Sequence, residues 1–92
     1  MPQVRREFLE RVLQGYIAVI PQEHGYIVVF PEFEYVTIVE VPSREELEEM
    51  LRGRRFRGVR GLCTTIGRRV ECFEAEVEGR VLLEALYVLE AY

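Results

Sequence analysis

The chain contains no lysine, aspartate, asparagine or tryptophan, and it has a single histidine among its 92 residues. Arginine and glutamate therefore carry almost all of its acid–base capacity. No nucleophile elbow, phosphate-binding glycine loop or zinc-protease helix motif is present. We expect His24, which lies in a predicted turn, to be solvated. The 16 glutamates have no distinctive spacing, so none is marked as a general acid or base. We expect no catalytic residue and no enzyme activity.

Long hydrophobic runs are also missing, because no stretch of 18 apolar residues occurs, and we expect no membrane span. The charged start of the chain lacks the features of a secretion signal. We therefore expect one domain over residues 1–92, located in the cytoplasm. Avoidance of asparagine and a charged fraction of 30% are typical of proteins from thermophiles, although the absence of lysine fits a GC-rich genome equally well.

Only two cysteines are present, and their spacing does not match a zinc site. We expect no metal and no cofactor. A two-residue turn at 67–68 would pair Ile66 with Arg69, and hence Cys63 with Cys72, at a position with closely spaced Cα atoms. A disulfide and a pair of free thiols both remain open, since intracellular disulfides are rare outside hyperthermophiles.

Positive charge is concentrated in one segment of the chain. Seven of the 12 arginines lie within 52–69, which holds no acidic residue, whereas the remainder has five arginines against 16 glutamates. A net charge of −4 therefore conceals a segment of +7 and a remainder of −11. Phosphate polymers respond to such local fields. The basic segment, as we call 52–69, predicts either a nucleic-acid contact or a solvated loop whose arginines pair with the surplus glutamates.

Apolar spacing and turn residues predict an α+β fold, in which helices flank a small antiparallel sheet in the order α-β-β-β-α-β-β-α. Ser43 is a predicted helix N-cap, with Glu46 placed for a capping box. The predicted helices cover 3–14, 43–51 and 81–91, and the predicted strands cover 16–20, 26–30, 35–41, 59–66 and 69–77.

Strand alternation predicts a row of aromatic side chains. If the first hairpin turns near residue 23, Tyr16 faces Phe30, and the next hairpin brings Tyr35 opposite Phe30. Such a row can stack nucleic-acid bases, or it can pack beneath a helix or against a second subunit.

The final stretch, 80–92, predicts a helix that is apolar on most sides. Such a helix needs cover on most sides, which a chain of 92 residues can hardly provide. We expect it to mediate self-association into a homo-oligomer, a dimer or larger.

Two families resemble parts of this chain. In layout, the chain is similar to the ThermoDBP-related single-stranded-DNA-binding proteins of hyperthermophiles, on the strength of the aromatic row, the basic segment and the apolar last helix. This resemblance implies an oligomer that binds single strands without sequence preference. The stretch GYIVVFPEFEYVTI with SREELEEML, within 16–51, resembles the core of HicB-type antitoxins. That resemblance implies a protein-interaction module instead.

We therefore expect a protein that binds single-stranded nucleic acid, with DNA preferred over RNA, in contact with neither membrane nor cofactor. The alternative is an interaction module, such as a HicB-like antitoxin or an assembly subunit, whose arginines dock on an acidic partner. The expected nucleic-acid-binding residues are Arg52, Arg54, Arg55, Phe56, Arg57, Arg60, Arg68, Arg69, Tyr16, Phe30 and Tyr35.

Overall fold

The computed structural model describes residues 4–56, 58–74 and 78–91. In that part of the chain, three helices and five strands follow the predicted order, so the α+β class is confirmed. The helices are α1 (Arg6–Leu13), α2 (Arg44–Leu51) and α3 (Gly79–Glu90). The strands are β1 (Tyr16–Gln22), β2 (Gly25–Pro31), β3 (Val36–Val41), β4 (Gly61–Ile66) and β5 (Arg69–Glu74).

Local sequence signals account for several of these boundaries. The Ser43 hydroxyl accepts a hydrogen bond of 3.2 Å from the Glu46 amide at the start of α2, which confirms the predicted cap. Gly15 follows α1 with a φ of 108°, a conformation that glycine adopts without a steric cost. The turn before Gly25 leaves His24 exposed, as predicted.

The strands form one sheet in the order β3-β2-β1-β4-β5. Three of its four pairings are antiparallel, as predicted, but the central strand β1 pairs with β4 in parallel. Tyr16 lies opposite Gly61, so both strands begin at the same end of the sheet. The sheet is mixed because α2 and the segment after it carry the chain back to that end before β4 begins.

The predicted register of the first hairpin is wrong by one residue. Ala18 pairs with Val29, and only two residues separate the paired ends of β1 and β2. Gly25 permits this tight turn with a φ of 95°. Because side chains alternate along a strand, the one-residue shift places Tyr16 and Phe30 on opposite faces of the sheet.

The second hairpin is also shifted, by two residues. Phe30 pairs with Thr37, whereas Tyr35 lies in the loop before β3 and is exposed. The predicted row of Tyr16, Phe30 and Tyr35 on one face therefore does not form.

Both faces of the sheet are covered. On one face, Phe8 and Val12 of α1 pack against a cluster that includes Tyr16, Ala18 and Val29. On the other face, α2 and α3 pack on the aliphatic side chains of the central strands. Each fully buried leucine or isoleucine stabilises the fold by about 1.5–3 kcal/mol relative to exposure. The buried residues of α2 and α3 in this second cluster are Leu47, Leu51, Leu82, Leu83, Leu86 and Leu89.

The hairpin of β4 and β5 has the predicted register. Ile66 pairs with Arg69, and Cys63 pairs with Cys72. The Cα atoms of the cysteines are 4.0 Å apart, and a disulfide joins them across the strands. Of the two alternatives that the sequence left open, the structure contains the disulfide.

The last helix is covered largely by its own chain. Five leucine and alanine side chains of α3 are buried, and they face the sheet and α2. Tyr87 and Val88 are its exposed large apolar side chains. The sequence argument for self-association through α3 assumed that one chain could not cover the helix. In the structure one chain does cover most of it, so that argument no longer applies. Within the described residues, no helix is long and apolar enough to cross a membrane.

Candidate nucleic-acid interface

A groove lies beside the end of β2, on the sheet face that carries α2 and α3. Its volume is about 590 Å³. Three charged side chains, Glu32, Arg54 and Arg55, line it together with Pro31 and Thr37. The rest of the lining is apolar and consists of Phe30, Val39, Met50, Phe56 and Val59. We call this feature the Phe30–Phe56 groove. It combines an apolar interior with two guanidinium groups.

The two phenylalanines of the groove are stacked. Their ring centroids are 5.6 Å apart, and the ring planes are inclined by 21°. Phe30 is buried, whereas Phe56 is half-buried. Such an offset pair is worth about 0.5–1.5 kcal/mol beyond the area it buries. This contact favours the position of Phe56 against Phe30, although Phe56 belongs to an irregular segment.

The backbone that carries the groove arginines is held by the start of α3. The Gly79 amide donates to the Arg54 carbonyl at 2.7 Å, and Arg55 forms an isolated antiparallel bridge with Glu78. A side chain on Gly79 would collide with the Leu51 carbonyl, so only glycine permits this close approach. The basic segment is thus fixed to α3 at Arg54 and Arg55.

The side chains of these arginines remain accessible. Arg55 donates to Glu78 at 3.0 Å, but its side chain is 79% exposed. An ion pair of this kind contributes only about 0–1 kcal/mol. A phosphate could therefore compete with Glu78 for Arg55, and Arg54 is also exposed at the groove.

Arg60 and Tyr16 form a separate cluster. The Arg60 guanidinium lies over the Tyr16 ring, 5.3 Å from its centroid, and donates to Glu74 at 3.0 Å. Tyr16 is buried beneath it, and its hydroxyl contacts Glu74 at 3.5 Å. These two predicted site residues interact with each other and with Glu74, and they do not line the groove.

The remaining arginines of the basic segment are dispersed. Arg68 and Arg69 lie at the β4–β5 turn, at the far end of the sheet from the groove and near its opposite edge. Arg69 pairs with Glu71 at 3.6 Å. Arg52 ends α2 and approaches Glu48 at 4.0 Å. Arg57 lies outside the described residues.

The loop between β2 and β3 carries two exposed aromatic side chains. Tyr35, a predicted site residue, is 64% exposed, and Phe33 is 86% exposed. Sequence reasoning missed Phe33, because it treated the turn only as a connection. A usable signal was present, since an aromatic residue between Glu32 and Glu34 in a turn has no core to enter.

A third charged cluster joins α2, β2 and α3. Arg44 donates to the Tyr26 hydroxyl at 2.9 Å and to both carboxylate oxygens of Glu90 at 2.7 Å. Burial lowers the pKa of Arg44, but its bonds to Tyr26 and Glu90 outweigh burial and raise it overall. Arg44 also lies over the Tyr87 ring, 5.4 Å from its centroid. We interpret this cluster as a structural connection between the elements, because its hydrogen bonds are made within the chain.

Burial raises the pKa of Tyr87, and the neighbouring Glu48 carboxylate raises it further, since both disfavour a phenolate. Within the described residues, no group of histidine, cysteine and acidic side chains is arranged to hold a metal ion.

Comparisons of the chain with protein-family models, with curated proteins and with solved structures give no significant match. The candidate site therefore has to be judged from its own geometry. That geometry brings together Phe30, Arg54, Arg55 and Phe56, and it separates them from Tyr16, Arg60, Arg68 and Arg69.

Proposed function

We propose that this protein binds single-stranded nucleic acid without sequence specificity, through the Phe30–Phe56 groove. Phosphates contact Arg54 and Arg55, and a base stacks on Phe56. The observation that carries the proposal is the position of two accessible guanidinium groups beside a stacked aromatic pair in one groove. DNA is placed before RNA only because of the resemblance to the ThermoDBP-related proteins.

The chemistry of the groove favours single strands over duplexes. A base can enter an apolar groove and stack on Phe56 only if it is unpaired, and such stacking contributes about 1–3 kcal/mol per base. Every base offers an aromatic face, so stacking does not select a sequence. Arginine suits the phosphate sites because its planar guanidinium donates to two oxygens at once.

The proposal assigns the protein no catalytic step and no cofactor. It places the protein in the cytoplasm of a thermophile, as a homo-oligomer. In a cytoplasmic protein, the disulfide between Cys63 and Cys72 fits a hyperthermophilic source, because intracellular disulfides are otherwise rare.

A protein-interaction module is the second candidate, and specific contacts favour it. Several arginines of the basic segment pair with glutamates of the same chain, as Arg55 does with Glu78 and Arg60 does with Glu74. These pairs reduce the positive field available to a polyanion. A HicB-like antitoxin or an assembly subunit would instead use the exposed Phe33 as a contact. Nucleic acid that co-purifies with the protein and raises its 260/280 absorbance ratio would favour the first candidate.

Charge reversal at the groove tests the proposal directly. We expect Arg54→Glu with Arg55→Glu to weaken binding of a labelled single-stranded oligonucleotide by roughly a hundredfold or more, because two charge-assisted contacts are lost. The matched control is Arg68→Glu with Arg69→Glu, which makes the same charge change at the far end of the sheet. The control should reduce affinity much less.

Fluorescence anisotropy measures both variants, and circular dichroism checks that both are folded. Equal losses in the two variants would show that binding follows net charge rather than the groove. Full affinity in the Arg54/Arg55 variant would exclude the groove as the site.

A further inference from the structure

The two edges of the sheet differ in how well they are protected against pairing with another strand. Edge strand β5 has the sequence RVECFE, in which three of six residues are charged. Edge strand β3 has the sequence VTIVEV, in which Glu40 is the only charged residue. Charged residues and prolines are the usual protection of an exposed edge, so β3 is the edge that is open to a partner.

The backbone groups that β3 presents outward follow from its pairing with β2. Val36 lies opposite Pro31, and the flanking pair is hydrogen-bonded, since the Glu32 amide donates to the Tyr35 carbonyl at 2.9 Å. Pro31 and Val36 are therefore a non-hydrogen-bonded pair. Hydrogen-bonded and non-hydrogen-bonded pairs alternate along an antiparallel ladder. The amides and carbonyls of Thr37 and Val39 therefore point towards β2, and those of Val36, Ile38 and Glu40 point away from the sheet.

We infer that β3 pairs with β3 of a second copy of this chain, antiparallel and centred on Ile38. A two-fold axis normal to the sheet keeps corresponding faces of the two sheets on the same side. It places Ile38 opposite Ile38 of the second copy, and Val36 opposite Glu40 of the second copy. All three outward-facing residues then exchange both of their backbone hydrogen bonds.

Neighbouring registers are less favourable. If the pairing is shifted by two residues towards the end of β3, Val36 lies opposite Pro42 of the second copy, which cannot donate a hydrogen bond. If the pairing is shifted by two residues towards the start of β3, Glu40 lies opposite Glu34 of the second copy. Glu34 has a φ of 72° and interrupts the strand. That second shift would also place two carboxylates opposite each other.

This register gives the exposed aromatic side chains of the β2–β3 loop a place to pack. Tyr35 comes opposite Val41 of the second copy, and Phe33 lies just beyond. An open cavity of about 590 Å³ adjoins Val41, and its other lining residues include His24, Glu40 and Pro42. The loop of each copy therefore meets the cavity of the other, and the symmetry provides two such contacts.

The exposed aromatic side chains would supply much of the area that a dimer needs. Phe33 and Tyr35 are 86% and 64% exposed, and burying both in each copy removes roughly 600 Å² of aromatic surface from water. The paired strands and the cavity walls add to this area. A specific interface needs a total of about 1,000 Å², so these aromatic side chains alone would supply more than half of that minimum.

The dimer would also extend the proposed site. Thr37 and Val39 line the Phe30–Phe56 groove, so the groove adjoins β3. A two-fold axis normal to the sheet places both grooves on the same face, one on each side of the axis. This extension depends on the proposed function, whereas the dimer itself does not.

Sedimentation velocity of the full chain tests the dimer. The wild type should sediment as a dimer at high micromolar concentration. Glu40→Pro should weaken self-association by at least about tenfold, because it removes an outward amide from each copy. The same change leaves the β2–β3 ladder intact. The matched control Glu40→Ala removes the same side chain but keeps the amide, and it should remain dimeric.

Two further variants keep the test decisive if the proline variant is unstable. Phe33→Ser with Tyr35→Ser should also favour the monomer, and neither residue is buried. Val88→Arg, on the exposed side of α3, should leave the dimer unchanged. A monomeric wild type, or a dimer lost through Val88→Arg and kept in Glu40→Pro, would overturn the inference.

Oligonucleotide binding by the monomeric variants separates this inference from the proposed function. Binding that persists in a Glu40→Pro monomer supports the groove as an independent site. A wild-type dimer that binds no oligonucleotide supports the interface and contradicts the groove.

Discussion

At the scale of single residues, Phe56 makes the most specific contribution to the candidate site. It is half-buried and stacks on Phe30. We expect Phe56→Ala to weaken single-strand binding roughly 5- to 150-fold, because stacking on an aromatic side chain contributes about 1–3 kcal/mol per base. Phe56→Tyr should retain most of the affinity, since it keeps the ring. Titrations followed by anisotropy give both values.

The control for this change is Phe73→Ala. Phe73 is an exposed phenylalanine on β5, at the opposite edge of the sheet from the groove, and its loss should leave affinity nearly unchanged. If Phe56→Ala and Phe73→Ala lowered affinity equally, stacking in the groove would not be the source of binding.

Sequence reasoning at this scale named candidate residues but could not say which of them the fold brings together. Phe30, Arg54, Arg55 and Phe56 were all predicted, and they meet in one groove. Their meeting depends on which face of the sheet Phe30 occupies, and the predicted register gave the wrong neighbours for it. The engagement of Arg60 by Glu74 follows from the β4–β5 register, which places Gly61 opposite Glu74. The position of Arg60 over Tyr16 depends instead on the parallel pairing of β1 with β4, which local sequence does not encode.

At the scale of elements, the start of α3 sets the position of Arg54. A side chain on Gly79 would meet the Leu51 carbonyl oxygen, so Gly79→Ala must displace either the helix or the segment that carries Arg54. We expect a loss of about 1–3 kcal/mol in unfolding free energy, measured by denaturant titration, together with weaker oligonucleotide binding. Glu84→Ala, at an exposed site on the same helix, should change neither quantity. Unchanged stability in Gly79→Ala would contradict the close approach.

The disulfide is the second element-scale feature that can be tested. Cys63 and Cys72 lie nine positions apart in the sequence, and closing a loop of that size stabilises a fold by about 2–3 kcal/mol in the chain-entropy model. We expect Cys72→Ser to lower the melting temperature and to make it insensitive to reductant, whereas the wild type should lose stability on reduction. A wild-type melting temperature that does not respond to reductant would show that the bond contributes nothing.

The elements themselves were largely predictable, since their signals are local. The cap at Ser43 and the two-residue turn before Arg69 both follow from neighbouring residues. The register of the first hairpin was harder to predict, because a turn that contains Glu23 and His24 can close with two or three residues. A change of one residue in the turn moves every side chain of β2 to the other face of the sheet. The parallel pairing of β1 with β4 joins segments that are distant in sequence, and no local pattern marks it.

At the scale of the whole molecule, charge segregation in the sequence overstates the positive field of the fold. The segment of +7 faces a remainder of −11, and the fold brings Glu78, Glu74 and Glu71 against its arginines. These pairs are exposed and weak. Binding of a polyanion would therefore have to displace glutamates, which makes affinity depend on salt and on the few arginines that line the groove.

The cover of α3 is likewise a property of the whole chain. Its apolar pattern indicated a helix with too little to pack against, but the sheet and α2 bury most of it. Self-association stays a prediction. The features that favour self-association are now the exposed loop between β2 and β3 and the edge strand β3, rather than α3.

The most direct test of the central claim is fluorescence anisotropy of the wild-type protein with labelled single-stranded and duplex oligonucleotides at two salt concentrations. We predict tighter binding to the single strand, with the logarithm of affinity falling against the logarithm of salt by roughly 0.7 for each phosphate contacted. No binding at low salt, or equal affinity for the duplex, would contradict a site built from a stacked aromatic pair and two arginines.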